Sequence, residues 1–296
     1  MEPLRTLLFI PGNRQNMIEK ARSLPADVLV LDLEDSVPAA EKIKARAMLG
    51  DSIAGLALKG QKVFVRINSL RSGYGQQDLE AVIINGIDGI SQPKPSSGDE
   101  VRQVEAIIER LEGERRIEQG HIKLIPWIET AKGLLNAFDI ASASPRVVGI
   151  ALGAEDLALD TGMERTEEGG ELLLPRTMVV IAAKAAEVIA LDTTYNNFRD
   201  EAGLIKEASL ARSLGFEGKF LVHPSQIDPV NQVFRPTPEE ITQARRIMAA
   251  FAAAEARGFA STSLEGKMID TPQARKAQRV LAMAEFIAQR EKGNPR

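Results

Sequence analysis

Two acidic residues that close neighbouring apolar runs are the first chemistry this chain offers. Glu129 ends Leu-Ile-Pro-Trp-Ile-Glu, and Asp156 ends Ile-Ala-Leu-Gly-Ala-Glu-Asp. Hard oxygen donors from only two side chains leave about four positions of an octahedron for water and substrate, a common way to hold magnesium. An acid pair neutralised by Arg66 and Lys94 fits the same spacing, because carboxylates have no diagnostic ligand interval of the Cys-x-x-Cys kind. Arg66 lies within the apolar run Val63 to Ile67, where a guanidinium must find a carboxylate, phosphate or carbonyl. A substrate oxygen and a strand-end acid would each satisfy it.

Polar residues close the other runs too. Pro11-Gly12-Asn13-Arg14 follows the first, Asp32, Glu34 and Asp35 lie at the end of the second, Asn68 follows the third and Lys94 the fourth; Glu155 precedes Asp156, Asp192 ends and Tyr195 follows the seventh run, and His223 follows the eighth, so that all would face one mouth. Helix N-caps favour Asp and Asn, so Asp35 and Asn68 have a structural reading beside a substrate-binding one. The first turn matches neither GxGxxG nor GxxxxGK[ST]. Pro11-Gly12 can still bring backbone near a ligand and Arg14, at a helix start, can meet a phosphate, although a simple turn explains the same residues. His223 precedes Pro224, which removes it from helical geometry, and it ranks below the carboxylates. His121 begins a run at the opposite end and is assigned nothing.

The runs themselves must position these groups. Thr6–Ile10, Val28–Leu33, Val63–Ile67, Gly89–Gln92, Lys123–Ile128, Val147–Leu152, Val188–Asp192 and Phe220–Val222 read as buried parallel strands. Between them lie stretches with helical spacing, such as Glu100 to Arg115, where Val101, Val104, Ile107, Ile108 and Leu111 share one face. This alternation predicts an α/β fold, a (β/α)8 TIM barrel over residues 1–235, with active groups at the carboxyl ends of the strands. Residues 236–296 are surplus to a minimal barrel and predict a C-terminal helical extension: an Ala-rich helix from Pro238 to Arg257, a small and polar stretch to Asp270, and a last helix from Pro272. The segment Asp160 to Glu171 has no periodicity and predicts a mobile loop or lid.

With 296 residues, 44% hydrophobic and 26% charged, the composition is that of an ordinary globular protein. A net charge of −4 argues against a nucleic-acid surface. The absence of cysteine excludes disulfides and thiolate metal sites, and two histidines argue against an imidazole-rich zinc site. The apolar run Leu7 to Ile10 is too short for a signal or a membrane span, and Met178 to Leu191 carries Lys184 and Glu187. A cytoplasmic protein with no membrane partner is expected.

Six motifs then fall in order along nearly the whole chain: Leu-Phe-Ile-Pro-Gly from Leu8, Leu-Asp-Leu-Glu-Asp-Ser-Val from Leu31, Val-Arg-Ile-Asn from Val65, Ile-Glu-Thr from Ile128, Gly-Ala-Glu-Asp-Leu from Gly153 and His-Pro-Ser-Gln-Ile from His223. Together they resemble the citrate lyase beta-subunit-like proteins of the HpcH/HpaI aldolase/citrate lyase family, which include malyl-CoA and citramalyl-CoA lyases. The resemblance implies Mg2+, or Mn2+, held by Glu129 and Asp156, and coenzyme A as part of the substrate. It implies that Arg66 contacts the thioester or keto-acid oxygens, that Glu34 and Asp270 complete the catalytic set, and that Arg14, Pro11, Gly12, Lys94, Asp35 and Asn68 face the acyl-CoA. Glu-Gly-Lys-Met-Ile-Asp-Thr-Pro, ending beyond Asp270, resembles a C-terminal element acting at a neighbouring subunit's site, so a homotrimer or a multiple of it is expected. Gln-Pro-Lys-Pro around Lys94 departs from the family's Leu-Pro-Lys-Val, and Trp127 stands beside Glu129; both bear on acyl specificity.

The implied reaction is cleavage of a 3-hydroxy-acyl-CoA, of citramalyl, malyl or citryl type, to acetyl-CoA and a 2-keto acid. Its alternatives are a metal-dependent aldolase on free pyruvate, a citrate lyase beta subunit acting on an acyl carrier protein, and a catalytically silent binding or assembly barrel.

Overall fold

Val, Ile and Leu dominate the short runs, and in the computed structural model, which describes residues 4–56 and 61–293, these runs become eight parallel strands. They are β1 (Thr6–Pro11), β2 (Val28–Asp32), β3 (Lys62–Arg66), β4 (Gly89–Gln92), β5 (Lys123–Ile128), β6 (Gly149–Leu152), β7 (Ile189–Asp192) and β8 (Gly218–Leu221). Each pairs with the next, and β8 closes on β1. The expected (β/α)8 barrel is therefore the fold. Between the strands run α1 (Gln15–Ala21), α2 (Lys42–Leu56), α3 (Gly75–Val82), α4 (Gly98–Arg115), α5 (Ala131–Leu135), α6 (Ala137–Ala141), α7 (Ala154–Thr161), α8 (Leu173–Ala185) and α9 (Glu201–Leu214), with α10 (Ile227–Val233) after β8.

Side chains alternate across a strand, so each strand sends every second residue into the barrel. Leu7, Val28, Val30, Phe64, Ile125, Trp127, Ala151, Ile189, Leu191 and Phe220 form one buried cluster, with Phe9 packed against it. The register joins these positions sideways, Phe9 to Val30, Val30 to Phe64, Trp127 to Ala151 and Ala151 to Leu191. Phe9, Trp127 and Phe220 stack at the centre, with ring centroids 4.3–5.6 Å apart. Two residues further along the same inward lines stand Asp32, Arg66 and Glu129. The apolar plug is thus the floor of a polar mouth.

The same alternation corrects the expectation that Asp192 faces the mouth. Leu191 points inward, so Asp192 turns to the outer face of the sheet, where it bonds Arg176 of α8 at 2.9 Å and Lys219 of β8 at 2.7 Å. Lys219, fully buried, also explains why β8 begins earlier than its apolar residues suggest. At β6 the run shortens instead: Val147 makes only an isolated bridge to Leu124. The segment 160–171, expected to be loose, is tied by Arg165 and Thr166 to Glu171 at 2.6 and 2.7 Å.

Residues from Phe234 onward form a second unit. Its helix α11 (Pro238–Glu255) starts with a capping box between Thr237 and Glu240 and Pro238 at the first position. Where an irregular stretch was expected there is a hairpin, β9 (Thr262–Leu264) and β10 (Lys267–Ile269). Its two turn residues, Glu265 and Gly266, have φ of 52° and 75°, as a two-residue hairpin turn of the primed type requires. α12 (Thr271–Gly293) follows, and Phe251, Ile269 and Ala274 form the unit's buried cluster. No described helix is long and apolar enough to cross a membrane.

Candidate active site

At the carboxyl ends of β2 to β6, six predicted side chains meet: Glu34, Asp35, Arg66, Lys94, Glu129 and Asp156. Arg66 grips Asp32 with two hydrogen bonds of 2.7 Å. The same guanidinium lies 3.2 Å from Glu34 and 3.3 Å from Asp35, and it covers the Phe9 ring at 4.5 Å. Lys94 sends its ammonium to Glu34 at 2.9 Å, to Asp156 at 3.2 Å and towards Glu129 at 3.9 Å. Glu129 comes from the end of β5, whereas Asp156 reaches the mouth from the first turn of α7 rather than from the end of β6. Lys94 stands between Pro93 and Pro95 with φ of 53°, a left-handed conformation that costs a non-glycine residue about 1–2 kcal/mol. Its backbone N–H donates to Glu129 at 3.3 Å, so the strained residue addresses the carboxylates through both its main chain and its side chain.

Burial and charge set these groups apart from surface acids. Burial, aided by the Glu34 charge beside it, pushes the Glu129 carboxyl well above the usual range. Burial alone would raise Asp156 as well, but hydrogen bonds from Glu129 and Lys94 hold it below its ordinary value. The contact between the two carboxyls thus acts in opposite directions, raising Glu129 and lowering Asp156. Desolvation also raises Glu34 against the pull of Arg66 and Lys94. Asp32 is equally buried, yet the Arg66 guanidinium keeps it low.

This donor set suits a hard divalent cation. Glu34, Glu129 and Asp156 crowd negative charge around Lys94, and one buried oxygen of Glu34 makes no hydrogen bond. Among the described residues no three His, Cys, Asp or Glu side chains form a ready-made cage. A pair of carboxylates that leaves most of the shell to water and substrate is the pattern of Mg2+ or Mn2+.

Other predicted residues lie differently. Asn68 is buried, and its amide donates to the Leu33 carbonyl at 2.8 Å and to Asp78 at 2.6 Å, leaving only its oxygen for a ligand. The close approach that Gly12 permits is to the Asp32 carbonyl, which its N–H meets at 2.8 Å. Pro11 is half-buried at the end of β1, and Arg14 is exposed at the start of α1. Asp270 belongs to the second unit, where its carboxylate and carbonyl accept from Gln273 and Ala274 at the start of α12. Trp127 lies one inward position below Glu129 and donates to Ser91 at 2.6 Å, so it shapes the floor. His223 bonds Ser225 and stacks on Phe198 at 4.7 Å. His121 contacts the Ile87 carbonyl at 3.1 Å.

Sequence reasoning named Asp32 without a role and passed over Lys42 altogether. Asp32 had a readable signal, since it shares the inward parity of Arg66 on the next strand. Lys42 had none: it is buried in α2 and donates to the carbonyls of Leu33 and Glu34 at 2.7 and 2.9 Å, a role that only the folded loop reveals.

The sequence profile of the HpcH/HpaI aldolase/citrate lyase family matches residues 5–224. The chain belongs to that family, and with it to the lyases. It is 40% identical to the citrate lyase subunit beta of Escherichia coli K12 over 287 residues, covering 97% of this chain and 95% of that protein. A (3S)-malyl-CoA thioesterase of Cereibacter sphaeroides is 36% identical and covers 97% of this chain and 96% of its own. Among solved structures, the protein CitE of Mycobacterium tuberculosis in complex with magnesium, acetoacetate and coenzyme A superposes with a TM-score of 0.77. It is 32% identical, and the match covers 96% of this chain and 98% of that one.

Proposed function

We propose that this protein is a divalent-metal-dependent carbon–carbon lyase that splits a 3-hydroxy-acyl-CoA of citramalyl, malyl or citryl type into acetyl-CoA and a 2-keto acid. The observation that carries the reading is the meeting of Glu129 and Asp156 beside Lys94 and Arg66 at one side of the barrel mouth. The CitE complex with magnesium, acetoacetate and coenzyme A supports it. Glu129 and Asp156 are the ligands of Mg2+, or Mn2+. When bound, the ion lowers the pKa of the substrate hydroxyl and holds the oxygens of the keto acid that forms.

The remaining steps fall to the chain's own groups. The 3-hydroxyl loses its proton, the bond between C2 and C3 breaks, and its electron pair passes into the thioester as an enolate. Glu34, whose carboxyl is raised by burial, accepts the hydroxyl proton in this reading. Arg66, held flat by Asp32, meets the enolate oxygen with fixed donors. Lys94 keeps Glu34 and Asp156 turned towards the reacting carbons. The enolate carbon then takes a proton from Asp270 of a neighbouring copy, in a homotrimer or a multiple of it. Arg14, Pro11 and Gly12 flank the CoA, with Asp35 and Asn68 bordering the acyl end, and the enzyme works in the cytoplasm.

The test offers the purified chain malyl-, citramalyl- and citryl-CoA with Mg2+. Acetyl-CoA and a 2-keto acid are expected, and EDTA should stop their release. Free CoA with an intact hydroxy acid would assign thioester hydrolysis instead. The 40% identity to citrate lyase subunit beta favours one second reading, in which the thioester is carried on an acyl carrier protein; cleavage of that thioester but not of CoA esters would establish it. Aldol chemistry on free pyruvate alone would move the site to an aldolase. A chain inert to all of these is a binding barrel.

A further inference from the structure

The polar mouth obeys the same large-for-small packing rule as the apolar core beneath it. At the lowest level, Gly89 of β4 leaves space that the Phe64 ring fills, and a Cβ on Gly149 of β6 would stand 2.6 Å from Ile189 Cγ1. One level higher, Ala151 of β6 pairs in register with Trp127. One level higher again, on the same inward line, Gly153 follows β6. A Cβ there would overlap Glu129 Cγ and stand 2.9 Å from Cδ and 3.1 Å from Oε2.

We propose that Gly153 is a positioning residue: its missing side chain is the space that lets the Glu129 carboxylate turn across the gap between β5 and α7 towards Asp156 and Lys94. The proposal rests on the reading of Glu129 and Asp156 as the metal pair. Gly153 has φ of −102°, so backbone conformation does not require glycine there, and the volume taken by Glu129 does. Yielding is not open to Glu129 either. Its side chain is buried against both Lys94 and Asp156, and Gly153 N–H is itself fixed to the Ile128 carbonyl at 2.9 Å. Added volume at residue 153 must therefore displace the carboxylate, the strand end or both. Interiors packed to crystal density transmit such a change instead of absorbing it.

A double-mutant cycle on the full chain decides this. In Gly153→Ala, Mn2+ affinity followed by electron paramagnetic resonance should fall by about tenfold or more, the loss typical of a disturbed ligand support, and Tm should fall. In a Glu129→Ala background the conflicting Cγ is gone, so adding Gly153→Ala should lower Tm no further. Gly170→Ala, with open space around it, should match wild type in both readouts. Additive Tm losses, or unchanged Mn2+ affinity in Gly153→Ala, would overturn the proposal. If the wild-type chain failed to bind Mn2+, the metal reading would fall, and the Tm cycle would still decide whether Gly153 makes room for Glu129.

Discussion

Two buried charge clusters stand on opposite faces of the same sheet, and their difference separates support from chemistry. On the outer face, Arg176 and Lys219 meet Asp192 and Glu207, with every separation at or below 3.2 Å. Two cations balance two carboxylates, and the bonds from Lys219 and Arg176 overcome the burial of Asp192 to hold it below its ordinary range. At the mouth, Arg66 and Lys94 face Asp32, Glu34, Asp35, Glu129 and Asp156. Even with Lys42 counted, whose ammonium lies beside Asp32, Glu34 and Asp35, three cations there serve five carboxylates, and Glu34 and Glu129 are driven upward. A fold gains nothing from leaving acids unneutralised in a buried place, so the deficit marks the position where a further cation belongs.

The sharpest way to break this comparison is to neutralise one acid in each cluster. Glu129→Gln should reduce turnover on the order of 10³-fold or more, exceeding the loss from a single oxyanion donor, while Tm stays level or rises because burial disfavours an ionisable carboxyl there and not a neutral amide. Asp192→Asn should do the reverse. It strands two buried cations on Glu207 alone and should cost about 3–5 kcal/mol in urea unfolding, with turnover per folded molecule little changed. Equal stability losses in the two variants would erase the distinction.

How far each cluster could be read in the sequence follows from what built it. The mouth was legible because its members end apolar runs: Arg66, Glu129 and Asp156 interrupt patterns that are otherwise uniform. The eight strands were legible for the same reason, and β4, only four residues long, stands where it was expected. Asp192 was misplaced because a strand-end acid looks the same from either face, and only the inward parity of Leu191 settles its side. Lys219 hid because a lysine beside a glycine does not look like buried strand. The hairpin around Glu265-Gly266 hid because each strand has three residues, too few for alternation to show. Gly153 hid because a missing side chain has no chemistry of its own to notice.

A milder substitution sharpens the contrast within the mouth. Arg66→Lys keeps the charge but loses the planar two-point grip on Asp32. Turnover should drop by roughly 10²-fold, within the range for a misplaced transition-state donor, with KM changed much less than kcat. A loss confined to KM would make Arg66 a binding group instead.

The smallest effect is a slope, and it distinguishes the clusters without a mutation. Glu129 has a folded pKa above its unfolded one, so its protonated form favours folding; that contribution is present below the ordinary carboxylate range and is lost as pH rises through the folded value. Asp192 is depressed, so its contribution is present above the ordinary range and is lost as pH falls through its folded value. Cation binding has the opposite sign to the Glu129 contribution, because the proton on Glu129 must leave before the oxygen can serve as a ligand. Mn2+ affinity should therefore weaken by about tenfold for each pH unit below the Glu129 pKa, one proton being exchanged per ion. Glu129→Gln should flatten that dependence while Asp192→Asn leaves its slope intact. A wild-type affinity independent of pH would mean that Glu129 is already ionised, and the deficit of charge at the mouth would then be met by the protein itself.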